Sequence, residues 1–188
     1  LDVTSKASSS KIMDISKHPK EIVNLYTWNK KLYAIPKDID TIALWYNKTM
    51  FDQAGLAYPD ASWTWDTFRA AAKKLTKADG SQYGFSLKTS NNQAGWYNIV
   101  YDMGGEIISA DKKKSGFDKP GTIKAIEYVT SLISDGSMPP YAVISENGEE
   151  TLFESGKVAM VTMGSWMLPD LCNNDYVKQH GDIAVLPK

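Results

Sequence analysis

The sequence predicts an α/β fold, in which helices pack in layers against a β-sheet, and three patterns support that class. Short apolar runs rich in β-formers, such as Thr41–Tyr46, alternate along the chain with helical patterns. Residues 62–80 and 121–136 each carry apolar side chains at helical spacing and end at a glycine. Lys157–Met163 predicts a continuous apolar strand of the kind that is buried on both faces.

Little regular structure is expected in the first part of the chain. Residues 1–20 are polar and rich in Ser and Lys, so we expect a loop with at most a short turn. Pro19–Tyr26 predicts one or two helical turns, because proline is tolerated at the first helical position. Lys31–Ile35 alternates and predicts a strand that ends at Pro36.

Two helices are predicted after the buried strand Thr41–Tyr46. Asn47 begins a short one that ends at Gly55. The longer one begins at Thr64, a suitable N-cap, and Gly80 follows its end. Its predicted core face consists of residues at helical spacing, namely Trp65, Phe68, Ala72 and Leu75.

The second half of the chain continues the alternation of strands and helices. Gln82–Leu87 predicts a strand, and residues 95–105 predict a helix with Trp96, Ile99, Val100 and Met103 on one face. A short hairpin should follow, through a Lys-rich turn. The core face of the helix at 121–136 is predicted to consist of Ile123, Ile126, Ile133 and either Val129 or Thr130. The remaining predictions are an acidic helix at 148–156, the strand Lys157–Met163, a glycine turn into a short helix from Gly164, and a last strand at 182–187.

Composition excludes several functional classes. Hydrophobic residues make up 43% and charged residues 23% of the chain, which is typical of a globular protein. The net charge of −1 indicates no nucleic-acid partner and no anionic membrane surface. His18 and His180 lie far apart, Cys172 is the single cysteine, and no zinc or EF-hand spacing occurs, so we predict no metal and no cofactor. No nucleophile elbow or phosphate loop occurs, although carboxylate pairs leave a glycosidase open.

Three segments at strand ends carry side chains suited to a neutral, polyhydroxylated ligand. They are the approach through Asp38 and Asp40, the loop "SNNQAGWY" after Gln82–Leu87, and "GSWM" after Lys157–Met163. Ligands of open α/β sheets bind beyond strand ends of this kind. Carboxylates and amides can hydrogen-bond hydroxyl groups, and an aromatic ring offers a flat apolar face to a sugar ring.

Each candidate also has an ordinary structural interpretation. Asp38 and Asp40 can be turn residues after the proline, because Asp is a common turn former. Trp96 and Trp166 can pack into the core near helix starts. Asn92 can be an ordinary loop residue.

An ordered set of motifs then points to a family. "KLYAIPKDIDTIALWYNKTMFDQAGL" and "WTWDTFRAAAKKLT" are followed by "GWYNIVYDMGGEI", "LFESGKVAMVTMGSW" and "IAVLPK". Together they resemble the extracellular solute-binding proteins of ABC sugar importers, the maltose-binding-protein-like group. The resemblance implies a type II periplasmic-binding-protein-like α/β fold, of which this chain is an internal fragment. One departure is Thr67, where many members have Glu, so we expect an incomplete capping box.

The resemblance also implies a domain organisation and a function. Residues 1–40 would be the end of the first lobe and the hinge crossing, 41–183 a partial second lobe, and 184–188 a strand returning to the hinge. The protein would bind a carbohydrate between its lobes, without catalysis, and deliver it to membrane permease subunits. It would lie in the periplasm or outside the cell, where a lipid anchor beyond this fragment is an option. A carbohydrate-active hydrolase and a binder of a non-sugar solute are the alternatives.

Specific residues carry over from the family pattern. Asp40 matches an acidic position that contacts sugar hydroxyls, and Asp38 matches a nearby contact position. Trp166 matches a stacking aromatic residue. The other expected ligand-binding residues flank these segments and are Gly164, Ser165, Asn92, Gln93 and Trp96.

Overall fold

A computed structural model of the chain describes residues 1–90 and 93–188. It divides into two compact units, Leu1–Asp40 and Thr41–Lys188. The larger unit is mixed α/β, as the sequence predicts.

The first unit contains more helix than predicted. Its elements are α1 (Thr4–Ser9), a 3-10 helix (Ile15–Lys17), α2 (Lys20–Leu25) and a hairpin of β1 (Thr27–Trp28) and β2 (Lys31–Leu32). The prediction of a loop over residues 1–20 is therefore wrong. Helix α1 forms because its start is tied to the hairpin: the Leu32 amide donates to Thr4 Oγ1 at 2.9 Å, and the Val3 amide donates to the Leu32 carbonyl at 2.8 Å.

Strand β2 is shorter than the predicted Lys31–Ile35. Its antiparallel partner β1 supplies only two paired positions, opposite Lys31 and Leu32. Asn29 and Lys30 form the turn and both have positive φ, at 47° and 63°. That geometry is typical of a tight two-residue hairpin, which fixes the register without lengthening the strands.

Among the described residues, the second unit contains eight α-helices, one 3-10 helix and three strands. The strands are β3 (Ile42–Asn47), β4 (Met160–Gly164) and β5 (Gly181–Ala184). The helices are α3 (Lys48–Ala54), α4 (Trp65–Leu75), α5 (Tyr97–Asp102), α6 (Pro120–Ser134), α7 (Tyr141–Asn147), α8 (Glu149–Glu154), α9 (Leu168–Asn173) and α10 (Asp175–His180). Helices α7 and α10 were not predicted, because neither segment has a long enough apolar period.

Strand β3 is the centre of the sheet, in the order β4-β3-β5, and pairs antiparallel with both neighbours. Ile42 lies opposite Gly164 at one end of the β3–β4 ladder. The predicted strand Gln82–Leu87 forms only two isolated parallel bridges, which run from Tyr83 and Ser86 to the β4 region. These isolated bridges still hold the edge of β4, since the amide of Ser86 donates to the Met160 carbonyl at 3.0 Å.

Helix α4 packs against the sheet as predicted. Trp65, Phe68, Ala72 and Leu75 are all buried. Phe68 meets Phe85 edge to face, with ring centroids 4.8 Å apart. This aromatic contact joins the helix layer to the strand-like segment beside β4.

The predicted core face of α6 is only partly correct. Val129 and Ile133 pack half-buried against the core, but the fully buried residues lie one position earlier along the helix. The buried residues are Thr122, Ala125, Tyr128 and Leu132, whereas Ile123 is 45% exposed. The hydroxyl groups can be buried because each has a partner: Tyr128 donates to the Trp65 carbonyl at 2.6 Å, and Thr122 donates to the Glu106 carbonyl at 2.9 Å. Hydrogen bonds thus allow Thr122 and Tyr128 to take core positions on α6 in place of the predicted aliphatic side chains.

The expected defect in the α4 capping box is also absent. Thr67 Oγ1 accepts from the Thr64 amide at 2.8 Å, and Thr64 Oγ1 accepts from the Thr67 amide at 3.2 Å. A threonine hydroxyl therefore replaces the usual carboxylate, and both amides at the helix start are satisfied.

Asp135 follows the end of α6 and forms ion pairs with Arg69 and Lys73 of α4, so it tests how the two helices are held together. Burial disfavours its charge, but hydrogen bonds from Ser137 and Arg69, with Lys73 nearby, lower its pKa to about 2. A depressed carboxylate pKa adds stability above the ordinary value near 4, and this stability is lost as the pH falls toward 2. We therefore expect Asp135→Asn to lower the free energy of unfolding by about 2 kcal/mol at pH 7.

Urea unfolding at pH 7 and pH 2.5 would measure that difference, which should shrink at the lower pH. Asp175→Asn is the matched control, because the Asp175 side chain is 98% exposed and pairs with Lys178 at the surface, where an ion pair adds little stability. Equal stability of the Asp135 variant and the unaltered protein at pH 7 would contradict the prediction.

Candidate ligand-binding site

The end of β4 and the start of β3 are joined by two backbone-anchored hydrogen bonds. The Ser165 amide donates to the Thr41 carbonyl at 2.9 Å, and the Thr41 amide donates to Ser165 Oγ at 3.2 Å. Ser165 begins a 3-10 helix, Ser165–Met167, directly after the strand. The position of Trp166 is therefore fixed relative to the first residues of β3.

The indole of Trp166 lies directly over Gly164. A Cβ atom added to Gly164 would come within 2.0 Å of the indole atom Cζ3, and the next two nearest atoms also belong to this ring. Only glycine permits this approach without moving the ring. Trp166 nevertheless remains 40% exposed as a residue, so its side chain is held in place and is still accessible.

A cleft of about 300 Å³ borders Trp166, and we call it the α5 cleft. It is lined by one apolar residue, three aromatic residues and two amides, namely Ile42, Trp166, Tyr97, Tyr101, Gln93 and Asn98. None of these lining residues carries a charge. A cleft of this composition offers apolar ring faces and neutral hydrogen-bonding groups, which suit a neutral polar ligand.

The segment that leads into α5 is held by side-chain hydrogen bonds to its backbone. Thr162 of β4 donates to the Ala94 carbonyl at 2.6 Å, and Asn98 Nδ2 donates to the Gln93 carbonyl at 2.7 Å. On the inner side of α5, Ile99 and Val100 are fully buried. The cleft wall is thus attached both to the sheet and to the core.

A second, much smaller cavity of about 30 Å³ lies on another side of Trp166. Lys88 Nζ lies there 3.5 Å from Glu149 Oε1 and 3.6 Å from Glu150 Oε1. Burial raises the pKa of Glu149, and the adjacent Glu150 acts in the same direction. The cavity has room for about one or two water molecules, so it is no site for a sugar ring.

The structure brings part of the predicted site together. Trp166 and Gln93 line the α5 cleft, and Gly164 and Ser165 hold Trp166 in place. Trp96 does not line the cleft; it packs edge to face against Tyr97 and Phe117, with centroids 4.7 and 5.8 Å away. Its contacts fit the alternative of core packing. Asn92 lies outside the described residues.

Asp38 and Asp40 belong to the first compact unit and are exposed. Asp38 forms an ion pair with Lys37, with Nζ and Oδ2 2.9 Å apart. Its hydrogen bond and charge raise the pKa of the Lys37 ammonium, with a smaller contribution from Asp40. Their expected role in ligand contact therefore stays a prediction.

Sequence reasoning did not identify Tyr97, Asn98, Tyr101 and Ile42 as cleft residues. A signal for the tyrosines was present, because they are spaced i and i+4 on α5, away from its buried residues Ile99 and Val100. Aromatic rings on the exposed side of an amphipathic helix form a surface that a ligand can contact.

Comparison with known proteins identifies the protein family. Residues 2–188 match the family model described as bacterial extracellular solute-binding protein. The arabinooligosaccharide-binding protein of Bacillus subtilis is 26% identical over 184 residues, which are 93% of this chain and 40% of that protein. A binding protein of Brucella abortus is 33% identical over 134 residues, which are 70% of this chain and 32% of that protein.

The fold agrees with solved structures of the same class. An ABC substrate-binding protein from Listeria monocytogenes in complex with cycloalternan superimposes with a TM-score of 0.88 at 28% identity, over 100% of this chain and 47% of that one. The chain belongs to the bacterial extracellular solute-binding protein family, and its fold is that of the type II periplasmic binding proteins. It spans about a third to a half of the length of these relatives.

Two features are absent from the described part of the chain. No helix there has both the length and the apolar character needed to cross a bilayer. Likewise, residues 1–90 and 93–188 contain no group of three or more His, Cys, Asp or Glu side chains placed to hold a metal ion.

The close approach of Gly164 and Trp166 is testable by a double-mutant cycle. We expect Gly164→Ala to displace the indole and to lower the free energy of unfolding by about 1 kcal/mol, because the three atoms nearest to the added methyl group all belong to this ring. In a Trp166→Ala background the same substitution should have almost no effect. Chemical denaturation of the four variants measures the coupling, and an equal loss in both backgrounds would show that the ring is elsewhere.

Proposed function

We propose that the chain forms part of the substrate-binding component of an ABC importer, which binds a sugar or oligosaccharide in a cleft between two lobes. The observation that carries this proposal is the uncharged α5 cleft beside the exposed, rigidly held indole of Trp166. Family membership supports the proposal, and so do the names of relatives that bind arabinooligosaccharide or hold cycloalternan.

The chemistry of the cleft favours a carbohydrate over a charged solute. Trp166 would stack on the C–H face of a sugar ring, which is apolar although the ring carries hydroxyl groups. Gln93, together with Asn92, would donate to and accept from those hydroxyls. A phosphate or a free carboxylate would find no cationic partner among the described lining residues.

The remaining residues would act from the other lobe. Asp40, and beside it Asp38, would accept hydrogen bonds from sugar hydroxyls, and charged acceptors of this kind bind more strongly than neutral ones. In this proposal residues 1–40 end the first lobe and cross the hinge, 41–183 form much of the second lobe, and 184–188 return to the hinge. The division of the chain into units at Asp40 supports this assignment.

The protein would act by closing on its ligand and presenting the closed form to membrane permease subunits. The family description supports a location in the periplasm or outside the cell. In the second case a lipid anchor is one way to hold the protein at the cell surface. A hydrolase is less well supported, because Glu149 and Glu150 are adjacent residues paired with one Lys88. A glycosidase needs two carboxyl groups on opposite sides of the scissile bond, roughly 5 to 9.5 Å apart. One acts as the acid and the other as the nucleophile or base.

The proposal predicts which variants lose sugar binding in the full-length protein. A thermal-shift screen with mono- and oligosaccharides first identifies the ligand, since a ligand of the native state raises apparent stability. Calorimetry should then show that Trp166→Ala and Asp40→Ala each weaken binding, by about 1–3 kcal/mol, through loss of stacking or of a charged acceptor.

Tyr141→Ala serves as the control, because Tyr141 is a comparably large aromatic residue that is 60% exposed and does not line the α5 cleft. The Tyr141→Ala variant should bind the sugar with the same affinity as the unaltered protein. Unchanged affinity in both site variants would exclude these residues from the binding site.

A further inference from the structure

Three charged side chains border the small cavity beside Trp166, and their charges do not balance. Lys88 Nζ lies 3.5 Å from Glu149 Oε1 and 3.6 Å from Glu150 Oε1. The Glu149 side chain is only 6% exposed. A buried charge without a partner is costly, and one ammonium group cannot neutralise two carboxylates. A single proton on one of the glutamates would remove the excess negative charge.

A buried oxygen atom shows where that proton can be shared. Glu150 Oε2 is buried and has no hydrogen-bond donor among the residues that the structure describes. The Glu149 carboxyl group lies within hydrogen-bonding reach of the Glu150 side chain. An ionised carboxylate can only accept, whereas a protonated carboxyl group carries one O–H donor. A proton on Glu149 therefore supplies the missing donor and leaves the negative charge on Glu150, next to Lys88.

The electrostatics of the group favour the same arrangement. Burial raises the pKa of Glu149, and Glu150 acts in the same direction against the opposing charge of Lys88. Burial also acts against the charge of Glu150, but hydrogen bonds from its backbone and from Glu149 lower the pKa of Glu150. Glu154 of α8 interacts with Glu150 and with Asp170 of α9, so these acidic groups strengthen the tendency of the pair to hold a proton.

Trp166 is the part of the cavity wall that can respond to this charge. The cavity holds only about 30 Å³, so a second carboxylate charge cannot be hydrated there unless the wall moves. Met163 and Gly164 of β4 are buried and paired with β3, whereas Trp166 is 40% exposed. Trp166 also borders the α5 cleft. A displacement of its indole by charge in the small cavity would therefore change the cleft.

We propose that Lys88, Glu149 and Glu150 position Trp166, and that a proton shared by the two glutamates keeps the indole in its ligand-binding orientation. This inference rests on the proposed function and adds a group that controls the site without touching the ligand. When the proton is lost, the two carboxylates repel each other, water enters the cavity and the indole is displaced. Because the pKa of Glu149 is raised, the arrangement is intact below the ordinary glutamate value of 4.5 and is lost as the pH rises through the raised value.

The first test follows Trp166 in the full-length protein without any ligand. A ¹H–¹⁵N spectrum recorded from pH 4.5 to pH 8.5 resolves the indole N–H resonances, and Trp166→Phe assigns that of Trp166. We expect this resonance to titrate with a midpoint above pH 4.5. Glu149→Gln mimics the protonated carboxyl group and should hold the resonance at its low-pH position. Glu146→Gln is the matched control, because Glu146 of α7 is exposed and does not border the cavity.

A second variant keeps the test decisive if Glu149→Gln does not fold. Glu150→Gln removes the charge that opposes ionisation of Glu149 and leaves Lys88 beside it. The midpoint of the Trp166 resonance should then move to lower pH. An unchanged midpoint in this variant would contradict the shared proton.

The second test measures sugar affinity by calorimetry over the same pH range, with the sugar that the thermal-shift screen identifies. We expect the affinity of the unaltered protein to fall by about threefold or more as the pH rises through the midpoint, whereas that of Glu149→Gln should remain at the low-pH value. Linkage then requires saturating sugar to raise the midpoint of the Trp166 resonance, by about half a pH unit for a threefold effect.

The outcomes separate this inference from the function on which it rests. If no sugar binds but the Trp166 resonance follows Glu149, the proposed function fails and the positioning of the indole stands. If sugar binds with the same affinity at every pH, or if the pH response of Trp166 persists in Glu149→Gln, the shared proton is refuted and sugar binding stands. Loss of both pH responses in Glu149→Gln, with both retained in Glu146→Gln, supports the inference.

Discussion

The position of the candidate site depends on the antiparallel pairing of β3 between β4 and β5. This pairing places Ile42 opposite Gly164, and the reciprocal hydrogen bonds of Thr41 and Ser165 close the same end of the ladder. Gly164 then admits the Trp166 indole against the backbone. Without this register, neither the accessible indole nor the cleft wall around Ile42 would have a defined position.

Charge is distributed unevenly around Trp166. The small cavity contains the charged side chains, where Lys88 pairs with Glu149 and Glu150. The larger α5 cleft is lined by neutral residues. Ion pairs close to the indole thus contribute to local packing, while the larger cleft exposes rings and amides. In the proposed function, these groups suit an uncharged polyhydroxylated ligand.

Much of the fold could be predicted because local signals agreed with packing. The buried strand at β3 and the face of α4 from Trp65 to Leu75 followed directly from apolar periodicity. Predictions failed where a hydrogen bond overrides hydrophobicity, as with Thr122 and Tyr128 on α6. For the candidate site, Trp166 was predicted from a motif, whereas Tyr101 was missed because its place in the cleft depends on which residues the fold brings beside it.

The most direct measurement of the central claim follows the indole N–H resonances of the six tryptophans during a sugar titration of the full-length protein. A Trp166→Phe variant would assign the relevant signal in the ¹H–¹⁵N spectrum. If Trp166 stacks on the ligand, its indole resonance should move in proportion to saturation, while that of Trp45, buried in β3, should stay in place. A saturating titration that leaves the Trp166 resonance unchanged would contradict the claim that this cleft binds the sugar.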